Sequence, residues 1–182
     1  PLHQIAHMIS NNASVLDTLT LLTRWTKYIM LTRKTKYALN ALSYLARAQA
    51  RGPVLIAELA REERIPKKYL ERILLDLKVR GILRSQKGKG GGYYLGRKPE
   101  EISISEVVRL MDGPLAPVSC VSETAYERCS ECRDEATCGI RLVMKEVRDA
   151  MADILDGTSL ADLVQRSRNA APAGGETINF EI

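Results

Sequence analysis

"IPKKYLERILLDLKVRGILRSQKGKGGGYYLGR", Ile65 to Arg97, is the stretch that decides the fold. Its first half is helical. Ile65, Leu70, Ile73, Leu74 and Leu77 return to one face, Pro66 stands at the first turn, and Gly81 follows the last turn. Its second half changes period. The runs Ile82–Ser85 and Tyr93–Leu95 flank a loop holding Gly88, Gly90, Gly91 and Gly92, which predicts a two-stranded hairpin.

Working outward, Thr32 to Ala48 reads as a helix with Ala38, Ala41, Leu42, Leu45 and Ala48 along its apolar face, stopped by Arg51-Gly52-Pro53. "LIAELAREE" (55–63) is a short second helix. Three helices followed by a hairpin make a winged helix-turn-helix. The expected fold is therefore mainly α, with a DNA-binding domain over residues 30–98. Beyond it, "SISEVVRLMDG" (103–113) is a short helix capped by Ser103 or Ser105. A longer helix spans Gly139 to Leu155, where Ile140, Met144, Val147, Met151 and Ile154 recur at steps of four and three. That spacing is a heptad seam for a second helix, or else a face packed on its own domain. Residues 99–163 then form a cysteine-containing sensor loop and dimerisation helix, and residues 164–182, with Pro172, Gly174 and Gly175, a flexible tail. Residues 1–29 are an N-terminal extension of uncertain origin ahead of Met30, with a helix expected over Ser14–Tyr28.

Charge divides the chain. Residues 30–98 carry 17 Lys+Arg against 5 Asp+Glu, and residues 99–182 carry 8 against 16. One half of the chain is suited to a polyanion, unless the two signs are simply two solvated surfaces. No apolar run reaches the roughly 18 to 20 residues of a membrane span. Nor does a basic start lead into an apolar run with a small-residue cleavage pattern, so the expected location is the cytoplasm, away from membranes, where thiols stay reduced. Paired carboxylates, a Ser/His/Asp set and a cofactor-binding glycine motif are all missing from the sequence, so no enzyme is expected. The glycine loop lacks the Lys-Ser/Thr ending of a phosphate cradle and runs into a strand.

On a winged helix-turn-helix, the third helix enters the major groove of a double-stranded DNA operator by its N-terminal end. Lys67, Lys68, Tyr69 and Glu71 are the candidate reading residues: the lysines for phosphates or a guanine edge, Glu71 for a cytosine amino group. Arg84, Gln86, Lys87 and Lys89 make a basic hairpin tip suited to a minor groove or its bordering phosphates. The lesser alternative for Lys67, Lys68 and Glu71 is an ordinary solvated face, and for Tyr69 a plain core position. Tyr93 and Tyr94 read as hairpin residues.

"CVSETAYERCSECRDEATC", Cys120 to Cys138, holds all four cysteines: Cys120, Cys129, Cys132 and Cys138. Four thiolates in so short a segment suit an iron–sulfur cluster or zinc, and bare thiol redox sensing is a third use. Cys129 and Cys132 form a Cys-x-x-Cys pair, without the second pair of a zinc ribbon. Arg128, Arg133 and Arg141 stand close enough in sequence to offset a thiolate-bound cluster's negative charge. His3 and His7 lie far upstream and are not proposed as ligands.

"MLTRKTKYALNALSYLA" (30–46), the 65–97 stretch and "ISISEVVRLMDGPLAPVSC" (102–120) resemble the Rrf2 family of bacterial transcription regulators over about Met30 to Leu163. The resemblance implies a homodimeric winged-helix protein, often with an iron–sulfur cluster that controls operator binding. Other members work without a cluster and respond to a partner protein or thiol stress. By resemblance, Cys132 and Cys138 match the last two cluster cysteines and Cys120 the first, while Cys129 is additional. Some relatives supply a fourth ligand as a histidine where this chain has Arg141, others as an aspartate where it has Lys36. Cys129 is then the candidate fourth ligand, unless a residue the sequence does not reveal takes that place. A 2Fe–2S cluster is ranked ahead of 4Fe–4S. The expected mechanism is a coupling, in which a change at the cluster held by the 120–138 segment alters the spacing of two recognition helices.

Overall fold

A computed structural model describes residues 31–170 of the chain. The expected helix at Ser14–Tyr28 and the final twelve residues lie outside them.

Helix α1 (Arg33–Arg47) opens on Thr32, whose hydroxyl accepts from the Thr35 N–H. Small Ala38 and Ala41 alternate with Leu42 and Leu45 on its buried face, so a neighbouring helix can come close. Helix α2 (Ile56–Glu62) and helix α3 (Lys67–Val79) follow, joined by a turn in which Arg64 takes φ 51° and Ile65 is buried. Pro66 is the residue just before the first turn of α3, and its carbonyl accepts from both Tyr69 and Leu70. At the other end the Gly81 N–H bonds the Lys78 carbonyl and the Ile82 N–H reaches back to Leu77, while Gly81 sits at φ 72°. This is a Schellman stop, with Ile82 and Leu77 both fully buried. It turns the chain directly into the hairpin.

Strands β1 (Leu83–Gln86) and β2 (Gly92–Leu95) pair antiparallel, Leu83 opposite Leu95 and Gln86 opposite Gly92. The expected strands sit within one residue of these. Val54 adds a third backbone to the sheet through two hydrogen bonds with Tyr93, at 2.9 and 2.8 Å. Helix α4 (Ile104–Asp112) is capped by Ser103, which accepts from the Glu106 N–H at 3.2 Å. Ser105, the alternative cap, is buried as the second residue of the helix and shares a hydrogen bond with the Ser103 hydroxyl.

A 3-10 turn at Ser119–Val121 precedes helix α5 (Gly139–Asp156). Helix α6 (Leu160–Ala170) comes next and was not expected: residues 164–170, read from sequence as part of a flexible tail, are its later turns. The signal was present. The Ser159 hydroxyl accepts from the Asp162 N–H while the Asp162 carboxylate accepts from the Ser159 N–H, a reciprocal cap of the Ser-x-x-acid type. Leu160 and Val164 are buried, and α6 packs on α1.

One apolar core results. It draws Leu42 from α1, Leu59 from α2, Leu70, Ile73, Leu74 and Leu77 from α3, Ile82, Ile102, Val107 from α4 and Leu160 from α6. The region after residue 98 thus contributes to the same core as the winged elements. Helix α5 stands apart: none of its 18 residues is buried. A small second cluster of Ala116, Cys120 and Val121 rests on its Met144.

The wing leaves no room beside Val54. A Cβ at Gly92 would come within 2.4 Å of the Val54 carbonyl oxygen. Gly92→Ala should therefore lower stability by about 1–3 kcal/mol, read as a fall in urea midpoint with unchanged slope.

Candidate functional site

Two sets of side chains were expected to carry function, and the fold treats them differently. Helix α3 turns Leu70, Ile73, Leu74 and Leu77 inward, so Lys67, Lys68, Tyr69 and Glu71 are all exposed on its first two turns. Tyr69 is held at its base by Tyr37 of α1, the rings 5.8 Å apart and nearly perpendicular. This contact sets α1 against the first turn of α3. Arg33 and Lys36 at the head of α1 are exposed, as is Arg72 one turn further along α3. Sequence reasoning missed these three. The "RKTK" run at the head of α1 was the available signal, but spacing alone does not say which of its members is free. Lys34 of the same run pairs with Asp76 of α3 at 2.7 Å.

The wing presents Arg84, Gln86, Lys87 and Lys89 to solvent around a turn in which Gly88 and Gly90 take φ 92° and 79°. Ordinary side chains rarely adopt such angles, so the tip is narrow and its backbone accessible. Tyr93 and Tyr94 are half-buried in the hairpin, Tyr93 as the partner of Val54.

The cysteines are divided. Cys120 is buried on the 3-10 turn, while Cys129 is exposed and Cys132 and Cys138 are half-buried beside the start of α5. Cys138 is the residue preceding α5. The backbone N–H of Arg141 faces its sulfur and is the main reason its thiol sits below the usual range, helped by Cys132, the Ile140 N–H and the Arg141 charge. Neither N–H closes a full cap hydrogen bond. Cys132 is pushed up, first by partial desolvation, then by its contact with Cys138 and by the negative charges of Cys138, Cys129 and Glu135. Cys129, Cys132 and Cys138 thus feel one another electrostatically. Among the described residues, no three His, Cys, Asp or Glu side chains converge tightly enough to hold a metal ion. As a donor set the thiols suit a soft metal or cluster; their convergence would require the 120–138 segment to close.

Around them, Glu135 gathers what sequence assigned to the cluster. It accepts from the Tyr126 hydroxyl at 2.5 Å and lies 3.6 Å from Arg128 and 3.9 Å from Arg141. Two of the three arginines read as offsetting a cluster's charge are thus partly neutralised by a carboxylate that sequence reasoning passed over.

On α5 the exposed large apolar residues are Ile140, Leu142, Val143, Val147 and Ile154; all but Leu142 fall on one stripe, with Ala150 between them. Their steps of three and four match the expected seam, but its membership changes. Met144 faces the Cys120 turn instead, and Val143 and Ala150 share the outward stripe.

Three helices, a basic reading end and a narrow wing define a winged-helix DNA-binding regulator. The Rrf2 family, described as an iron-dependent transcriptional regulator, matches residues 31–166, and the chain belongs to it. A putative Rrf2-like HTH-type transcriptional regulator of Rhodobacter capsulatus is 43% identical, the match covering 78% of this chain and 97% of that protein. The HTH-type transcriptional regulator IscR of Aliivibrio salmonicida is 30% identical, over 74% of this chain and 76% of its own. Among solved structures, CymR, the global cysteine regulator of B. subtilis, superposes with a TM-score of 0.64 at 28% identity, covering 76% of this chain and 98% of that one. The matched relatives are transcription regulators. Among the described residues no helix is long and apolar enough to cross a membrane.

The opposite shifts of the two neighbouring thiols give a testable order. In reduced, metal-free protein at neutral pH, Cys138 carries more thiolate than Cys132 and should be alkylated first. Site-resolved alkylation against pH should place the Cys138 inflection at lower pH than that of Cys132.

Proposed function

We propose that the chain is a homodimeric, cytoplasmic transcription regulator whose affinity for a double-stranded operator is set by an iron–sulfur cluster bound to the 120–138 segment. Cys120, Cys132 and Cys138 are the proposed ligands, with Cys129 in the fourth position. The observation that carries this reading is the location of the thiols. All four lie in the connection that leads from the winged core into α5, so closing that connection acts on both. Such a cluster, when bound, supplies a charge and ligand number that change with redox state or with loss of iron. The residues of the chain do the rest. Cys120 is already seated against α5, and Cys132 and Cys138 stand at its start, so gathering them ties the loop to the helix from both sides.

The exposed stripe of Ile140, Val143, Val147, Ala150 and Ile154 supports pairing of α5 with its copy in a second chain. A symmetric dimer carries two recognition helices and reads a two-fold related site. In each half, Lys67 and Lys68 contact phosphate or guanine, Tyr69 packs at the groove wall and Glu71 accepts from cytosine. Arg84, Gln86, Lys87 and Lys89 border the minor groove.

The deciding experiment uses protein purified without oxygen. A brown protein with visible bands, and iron and sulfide in matching amounts, is expected. Its operator affinity should differ from that of the metal-free form, and equal affinity would sink the switch. Cys129→Ser should alter the spectrum; an unaltered one removes Cys129 from the ligand set.

A second reading has its own support: Cys132 and Cys138 adjoin, one thiol lowered and the other raised, as suits direct thiol sensing without a cluster. A solved relative, CymR of Staphylococcus aureus, is described in an oxidized form. A colourless protein whose operator binding is lost on mild oxidation and restored by a reducing thiol would favour it.

Contacts on the DNA side separate by salt and by sequence. Lys67→Ala should weaken binding to all sequences and lower the salt slope by about 1. Glu71→Gln should cost about 1–3 kcal/mol at one base position only, read by binding to a set of singly substituted operators.

A further inference from the structure

Arg148 is out of character with its helix. On α5, which has no buried residue, its side chain is only 12% exposed. Its Nη1 donates to the Val121 carbonyl at 3.1 Å, at the end of the 3-10 turn that carries Cys120, and lies 3.0 Å from Glu123. Nη2 pairs with Asp149, and Nε is buried without a partner. One turn earlier, Met144 packs against Ala116, Cys120 and Val121. Glu123 is largely solvated, 72% exposed, so its charge adds little to the hold. The anchor is the backbone carbonyl. A guanidinium suits that task because its planar fork addresses several acceptors at once. The orphaned Nε is a cost that packing an apolar residue there would avoid, and it marks a position kept for geometry.

We propose that Arg148 is the positioning residue that clamps the Cys120 turn onto α5, so that a change at the Cys120 sulfur is passed to the pairing helix. For its regulatory meaning this rests on the reading of Cys120 as part of the sensor. The clamp itself does not depend on a cluster, and its test is made on reduced, metal-free, full-length protein.

Maleimide labelling resolved by residue is the first measurement. In Arg148→Ala, Cys120 should react about tenfold faster than in the parent, as expected when one charged hydrogen bond no longer closes a local opening. Cys132 and Cys138 should keep their rates, and Arg148→Lys, which retains a single donor, should fall between. An unchanged Cys120 rate overturns the clamp. So does an equal acceleration at all cysteines, which is general loosening, or a lysine variant no better than alanine.

The second measurement isolates the relay. In a chain with Cys129, Cys132 and Cys138 changed to Ser, alkylating Cys120 should speed amide exchange across residues 144–151 when Arg148 is present. Exchange there should stay unchanged after Arg148→Ala. No effect with Arg148 in place overturns the relay. A missing cluster in the spectroscopic experiment above would instead remove the cluster reading and leave both results standing.

Discussion

The packing of Leu70, Ile73, Leu74 and Leu77 against the small-residue face of α1 is the contact on which everything else in the molecule rests. With its leucines buried, α3 turns its opposite face outward, and with it Lys67, Lys68 and Glu71, which are proposed to read DNA. The same helix ends in the Gly81 stop, which delivers Ile82 to the core and sets the register of the wing. Helix α3 and the wing therefore share one core, and their relative position follows from a handful of buried leucines and one glycine.

The second constraint is the opposite one. An 18-residue helix that carries an apolar stripe and buries none of its residues is incomplete by itself. Ion pairing holds its far end, where Arg109 of α4 grips Asp156 through two hydrogen bonds and keeps that carboxyl below its usual range. Its near end is held by the cysteine segment. The helix is thus fixed to its own domain at both ends while its outer stripe faces away.

The 65–97 stretch was legible because two periods meet there, with glycine and proline marking each change. The seam on α5 was legible in period but not in membership. Met144 and Val143 are both apolar and both fit a heptad step, and only the position of the Cys120 turn decides which one faces inward. Helix α6 was hidden by the Pro172 and glycine residues just beyond it, although Ser159 and Asp162 announced its start. What the sequence could not disclose was contact between distant residues. Asp112 accepts from the backbone N–H and hydroxyl of Thr32, 80 residues away, and so joins the end of α4 to the cap of α1. Glu135 drawing Arg128, Arg141 and Tyr126 together is another case, since no spacing rule links those four.

The return of the chain has a consequence of a different kind. After α5 the backbone returns beside the start of α4: Ser103 bridges Ser159, Ile104 bonds Thr158, and Leu160 bonds Ile102. Residues 113–157 are in effect an excursion that leaves from the end of α4 and returns at its start, both on the same core. An excursion of that form can be lengthened, shortened or re-equipped with different side chains while the DNA-reading surface keeps its foundations. One scaffold can in this way be refitted to answer different chemical signals, each new sensor inheriting the same grip on DNA.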